Sequence, residues 1–156
     1  MWALLGVAPP ETASAIEAVD LYPDALECLR TARDRGLVAG IAGNQPAGVE
    51  ARLAAVGFTA DFLASSAAWG VEKPSPAFFT RVAEAAGVRP DRILYVGDRV
   101  DNDVLAARAA GMRTAFLRRG PWGHVHAGRP EAALADLRLE SLQQLTDAIA
   151  SAPAAP

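Results

Sequence analysis

Cysteine, lysine and long apolar runs are scarce in this chain, and each scarcity removes a class of protein. The single cysteine, Cys28, leaves no internal disulfide and fits a reducing, cytoplasmic compartment. Its place in the apolar stripe of a helix marks it as a buried structural thiol. No apolar run approaches the ~18 residues that a membrane span requires. The apolar stretch Trp2–Val7 has no Lys or Arg ahead of it, so it lacks the basic start of a signal peptide. A net charge of −3 with no basic cluster excludes DNA, RNA and anionic membrane surfaces as expected partners. What remains is a chain of 156 residues, 51% hydrophobic and 21% charged, the balance of one globular domain with a real core.

One scarcity points toward chemistry. Of 15 cationic Lys and Arg residues, every one except Lys73 is arginine. An exception of this kind suits a role that a planar guanidinium fills badly and a compact, rotatable ammonium fills well.

Hydrophobic spacing and turn residues divide the chain into alternating strands and helices. Pro9-Pro10-Glu11, with Ile16 and Val19, reads as a short helix. A second helix starts at Tyr22-Pro23-Asp24, sets Leu26, Leu29 and Ala32 on one face and stops at Gly36. Strands are expected at Leu37–Gly43, Phe62–Ser65, Ile93–Gly97, Arg113–Leu117 and Asp136–Leu139. Between them lie helices carrying Val49, Leu53 and Val56; Phe78, Phe79, Val82 and Ala86; and Asn102 to Gly111. Ser75 and Ser141 stand as N-caps, the latter before a last helix with Leu142, Leu145 and Ile149 inward. Gly120–Pro130 is expected to be a loop and its His124 and His126 solvated. The Ala/Pro-rich tail 151–156 is expected to fray. This alternation predicts an α/β fold, a Rossmann-like parallel sheet with helices on both faces.

In such sheets ligands bind beyond the carboxyl ends of the strands. Three polar groups fall there: Gly43-Asn44-Gln45, Glu72-Lys73-Pro74, and Asp98 with Asp101-Asn102-Asp103. A turn and helix cap accounts for one acidic residue of the last group. It accounts less well for Asp98, placed directly after a buried strand. Two carboxylates so placed suit a hard cation such as Mg²⁺, and a nearby ammonium can hold an opposing phosphate.

These residues resemble the haloacid dehalogenase (HAD) superfamily. Glu72-Lys73-Pro74-Ser75-Pro76-Ala77-Phe78-Phe79 is similar to its third motif, and Val96-Gly97-Asp98-Arg99-Val100-Asp101-Asn102-Asp103 to its fourth. Leu21-Tyr22-Pro23-Asp24-Ala25-Leu26 and the strand ending in Gly43-Asn44 resemble the approach to its second. The resemblance runs from about Leu21 to Ile149. It implies a HAD-like core at 21–150, preceded by a cap-derived or N-terminal helical segment at 1–20. It implies that Lys73 steadies the nucleophile and the phosphoryl group, that Asp98 ligates Mg²⁺, and that Asp103 binds the metal, directly or through water, or holds Lys73. Gly43 and Asn44 would lie beside the phosphate. Most members hydrolyse small phosphomonoesters through an aspartyl-phosphate, and a minority are dehalogenases.

The sequence departs from that pattern twice. Gly43 stands where the family has Ser or Thr, so a hydroxyl donor is missing. No stretch fits the first motif, Asp-x-Asp-x-Thr after an apolar strand, and with it goes the covalent nucleophile. Asp20 and Asp24 lack a preceding strand, and Asp61 precedes its strand. The absent motif belongs to a central strand between 37–43 and 93–97, whose loss would bare two buried edges. Trp2–Val7, direct pairing of the flanking strands, or a strand from another chain could close the gap. The expectation is therefore a phosphatase-type HAD domain, weakly active as an isolated chain and binding Mg²⁺ weakly. A non-catalytic anion-binding or interaction module, half of a split enzyme, and a homodimer or complementing chain stand beside it.

Overall fold

The computed structural model describes residues 16–152. The stretch Trp2–Val7, the helix start at Pro9-Pro10 and residues 153–156 of the tail lie outside the described residues. A 3₁₀ turn, Ala18–Asp20, leads to α1, Ala25–Asp34. Then follow β1 (Gly40–Gly43), α2 (Val49–Ala55), β2 (Phe62–Ser65), α3 (Ser66–Trp69) and α4 (Pro76–Ala86). The second half comprises β3 (Leu94–Gly97), a π-helical turn (Val100–Leu105) running into α5 (Ala106–Ala109), β4 (Arg113–Leu117), α6 (Gly120–His126), β5 (Leu137–Leu139) and α7 (Leu142–Ser151).

Local chemistry explains most of these boundaries. Pro76 opens α4 at the position where a missing N–H is harmless, and Phe78, Phe79 and Val82 turn inward at helical spacing. The Ser141 hydroxyl accepts the Gln144 N–H and caps α7 as expected. On α1 the buried stripe is Ala25, Cys28 and Ala32, whereas Leu26 is 40% exposed. The expected face is thus corrected by one position: small side chains let α1 lie close to α7, where Cys28 meets Leu139 and Leu145.

Two further corrections concern the ends of the sheet. Leu37–Ala39 is not part of β1, because the Ala39 N–H donates to the Asp61 carboxylate instead of to a neighbouring strand. Gly120–His126 is a helix and not a loop. Its Gly123 lies so near the end of β4 that a Cβ there would come within 2.8 Å of the Leu117 carbonyl oxygen. His124 is exposed as expected, but His126 is buried and its Nδ1 accepts the Val100 N–H at 2.9 Å.

All strand pairs are parallel, yet they form two sheets: β1 pairs with β2, and β3, β4 and β5 pair in that order. Between β1 and β3 lies a slot of about 640 Å³. Cys28, Leu145 and Ile149 line it from one side and Val82 and Ala86 from the other. Among the described residues the slot is bridged by a side chain, the Tyr95 hydroxyl donating to the Ala42 carbonyl at 3.3 Å, and not by a backbone ladder. Helices α4 and α5 cover one face of β3 through Phe78, Phe79, Val82 and Ala107, and α1 and α7 cover the other. The chain grows outward from the slot in both directions, which makes it the topological switch point of the fold.

Candidate active site

The polar residues singled out by sequence converge at the carboxyl mouth of the slot. Asp98 follows β3, Gly43 and Asn44 close β1, and Lys73 sits on the loop between α3 and α4. Lys73 Nζ donates to Asp103 Oδ1 at 2.6 Å. Asp103 Oδ2 accepts the Arg99 N–H at 2.9 Å, so both oxygens of this buried carboxylate are engaged. Gly97 makes the arrangement sterically possible: a Cβ there would overlap the Asp103 side chain. Burial opposes the charge on Lys73, but the oxygens of Tyr95 and Asp103 more than offset it and hold its pKa above the ordinary value.

Asp98 is the complement of Asp103. It has no cationic partner within ion-pair distance among the described residues. Burial, then repulsion from Asp103, pushes its pKa up. A half-buried carboxylate in this state gains from a nearby cation. A Cβ on Gly120 would lie 3.3 Å from the Tyr22 hydroxyl and 3.8 Å from Asp98 Oδ2, which places Tyr22 at the rim of the same mouth.

The Asn44 side chain is engaged with the Lys73 backbone. Its Nδ2 donates to the Lys73 carbonyl at 2.9 Å and its Oδ1 accepts the Lys73 N–H at 2.7 Å. This two-point clasp, with the cis Lys73–Pro74 peptide just beyond it, fastens the lysine loop to the end of β1. Ser66 secures the next residue by accepting the Gln45 N–H at 3.2 Å. Gly43 itself is roomy, since a Cβ would meet nothing nearer than Gln45 Cγ at 3.8 Å.

Several neighbours of the site were not singled out by the sequence. Tyr95 stands under Lys73, its ring centroid 5.5 Å from Nζ, and burial raises its hydroxyl pKa to about 12. Arg99 forms a two-pronged pair with Asp101 and lies 4.6 Å from the Trp122 ring. Arg119 grips Asp24 with two bonds of 2.6 Å, and Asp24 also accepts the N–H groups of Leu142 and Gln143. Asp24 is thereby fully used in docking α1, β4 and α7 together. Weak aromatic and arginine signals existed in the sequence, but these pairings span long separations that spacing does not encode.

The donor set fits Mg²⁺ only in part. Asp98 offers a free, oxygen-rich ligand of the hard type this ion takes. Asp103 is committed to Lys73 and the backbone. No cluster of three or more His, Cys, Asp and Glu residues able to hold a metal occurs among the described residues.

Comparison with known proteins shows the family. The model of the haloacid dehalogenase-like hydrolase family matches residues 7–111, across Asn44, Lys73, Asp98 and Asp103. The chain belongs to the haloacid dehalogenase-like hydrolases. This HAD-like chain is 33% identical over 121 residues to a phosphoserine phosphatase of Thermus thermophilus, covering 76% of this chain and 49% of that one. It is 38% identical over 80 residues to a glyceraldehyde 3-phosphate phosphatase of Methanopyrus kandleri, covering 51% and 34%. A HAD phosphatase from Thermococcus onnurineus superposes with a TM-score of 0.73 at 26% identity, over 86% of this chain and 60% of that one. The chain therefore spans half or less of the length of these two curated relatives. No described helix is long and apolar enough to cross a membrane.

Proposed function

We propose that residues 21–150 form the cation-and-metal half of a HAD-type phosphatase site that takes a small phosphorylated substrate. The observation that carries this reading is the pairing of Lys73 with Asp103 beside the unpaired Asp98, at the mouth of a switch-point crevice. One ammonium against two carboxylates leaves the cluster net negative, which disfavours a phosphate dianion until a divalent cation joins it. Mg²⁺, when bound, supplies positive charge toward the phosphoryl oxygens. Asp98 would be its direct ligand, with Asp103 at most reached through water. Asp103 aims and charges Lys73, and the Asn44 clasp sets the height of the lysine loop. Lys73 then donates to a phosphoryl oxygen, and Gly43 leaves that oxygen one donor short.

Covalent phosphoryl transfer also needs a positioned nucleophile, and the 156 residues contain no Asp-x-Asp-x-Thr. The isolated chain should therefore turn over a generic ester such as p-nitrophenyl phosphate orders of magnitude more slowly than an intact relative. The lone, buried Cys28 supports a reducing, cytoplasmic setting. The test is Mg²⁺-dependent hydrolysis by the wild type, Asp98→Asn and Lys73→Ala. Slow turnover abolished by both substitutions supports the reading. A measurable rate that neither substitution lowers overturns it, because the turnover then does not pass through Asp98 and Lys73.

A further inference from the structure

His126 is a buried imidazole outside the cluster of Asn44, Lys73, Asp98 and Asp103. It ends α6, the helix whose first residue, Gly120, stands beside Asp98 and Tyr22. Helical spacing puts Trp122 and His126 on one face, and their rings meet edge to face at 5.8 Å. His124 is exposed. Gly123 lets this turn press on the end of β4, so the seat of α6 is set by the sheet.

The Trp122–His126 face packs against the segment between Asp98 and Asp103. Val100 is fully buried, and its N–H donates to His126 Nδ1 at 2.9 Å across 26 residues of chain. A backbone N–H can only donate, so Nδ1 keeps its lone pair and the proton of the neutral ring lies on Nε2. The rival arrangement would protonate Nδ1 toward Asp101 Oδ1, 3.8 Å away. That separation is too long for a hydrogen bond, and the same oxygen already accepts from Arg99 and the Asn102 N–H.

The Val100 N–H shares a rigid peptide plane with the Arg99 carbonyl. That carbonyl accepts the N–H groups of Asp103 at 3.0 Å and Val104 at 3.2 Å. One planar unit is thus held from both ends, by His126 on one side and by the turn carrying Asp103 on the other. Asp103 in turn holds Lys73 Nζ. Bonds in such a chain reinforce one another, and tilting the plane would loosen the Asp103 backbone and with it the lysine.

We infer that His126 is a positioning residue: through Nδ1 it fixes the Arg99–Val100 peptide, and so holds Asp103 in the geometry that aims Lys73. The role rests on the reading of the mouth as a phosphatase site, but the ring and the loop can be observed without any ligand.

NMR of the isotope-labelled full chain at mildly alkaline pH tests it. The wild type should show a coupling across the hydrogen bond between the Val100 nitrogen and His126 Nδ1, with the ring in its Nε2–H form. A ring protonated on Nδ1, or no coupling, overturns the inference without any variant. Two substitutions then separate the acceptor from the bulk of the ring. Asparagine carries an oxygen at the place of Nδ1 but fills less space beside Trp122; leucine fills the space and accepts nothing. Lys73 is the chain's sole lysine, so its ammonium gives one assignable signal. In His126→Leu the Val100 and Asp103 amides and the Lys73 ammonium should exchange about tenfold faster or more, while β4 keeps its protection. His126→Asn should restore wild-type exchange. Leucine exchanging like the wild type, or asparagine no better than leucine, overturns the inference, since packing alone then accounts for the ring. Should His126→Leu unfold, the coupling in the wild type decides. Neither Mg²⁺ nor phosphate is present, so these results can fail while the hydrolysis test succeeds, and succeed while it fails.

Discussion

Lys73 Nζ lies 2.6 Å from Asp103 Oδ1, the lysine side chain 14% and the aspartate 3% exposed. Removing one partner of so buried a pair leaves an uncompensated charge, a loss of about 3–5 kcal/mol in comparable cases. Lys73→Met should therefore destabilise the domain by an amount near the lower end of that range, since Asp103 keeps its bond from the Arg99 N–H. Urea unfolding at neutral pH measures it. A loss below about 1 kcal/mol, the ceiling for exposed pairs, would show that the pair is solvated in solution.

Asp98 should behave in the opposite way. Its pKa is raised by burial and by Asp103, so its charged form weakens the fold. Asp98→Asn should stabilise the protein at pH 7 while removing its response to Mg²⁺. The sign follows from linkage: the penalty is present above the raised pKa and fades as the carboxyl protonates on acidification. The thermal midpoints of the two proteins should converge as pH falls through the carboxylate range. A wild type more stable than Asp98→Asn at pH 7 would contradict this.

The Asp24–Arg119 pair sets an acid limit. Hydrogen bonding and charge from Arg119 hold the Asp24 carboxyl down to about 2, from an ordinary 3.8. Its contribution, about 1–2 kcal/mol after allowance for solvent screening, is complete above the unfolded value and is lost as pH falls through about 2. Asp24→Asn should lower stability by that amount at pH 7, and the difference should close near pH 2. A difference that persists unchanged at pH 2 would assign the effect to packing.

Two glycines at the site should respond differently to a side chain. At Gly97 a Cβ would overlap Asp103, and Gly97→Ala should destabilise by about 1–3 kcal/mol through overpacking. At Gly43 the nearest atom is 3.8 Å away, so Gly43→Ser should stay within about 0.5 kcal/mol of the wild type. The added hydroxyl should also tighten phosphate binding in the presence of Mg²⁺. Equal stability losses at the two positions would mean that the mouth is shaped otherwise.

Much of this molecule could be read in advance wherever the determinant was local. The strand Arg113–Leu117, the strand Phe62–Ser65 and the Ser141 cap came out as expected because short apolar runs and capping hydroxyls act over a few residues. Gly120–His126 is a helix despite its Gly and Pro, which normally mark loops. Pro121 sits harmlessly in the first turn there, and Gly123 is required by its close approach to Leu117. Spacing put Asn44, Lys73, Asp98 and Asp103 at one end of the sheet. It could not show that Asn44 clasps the Lys73 backbone or that Asp103 is already engaged. Those are long-range pairings of polar atoms, and they decide which residues remain free for a ligand.

The central claim is that Asp98 and Lys73 form a cation-dependent phosphate site. The most direct test is an NMR titration of the isotope-labelled chain, first with Mg²⁺ and then with inorganic phosphate. Mg²⁺ should move the amides from Asp98 to Asp103 with an affinity in about the millimolar range, as expected where few charged ligands remain. Phosphate should then move Asn44 and Lys73 when Mg²⁺ is present, not when it is absent, and not in Asp98→Asn. If these amides stay unmoved by Mg²⁺ and phosphate together up to about ten times that range, the residues at the mouth are structural and the account is wrong.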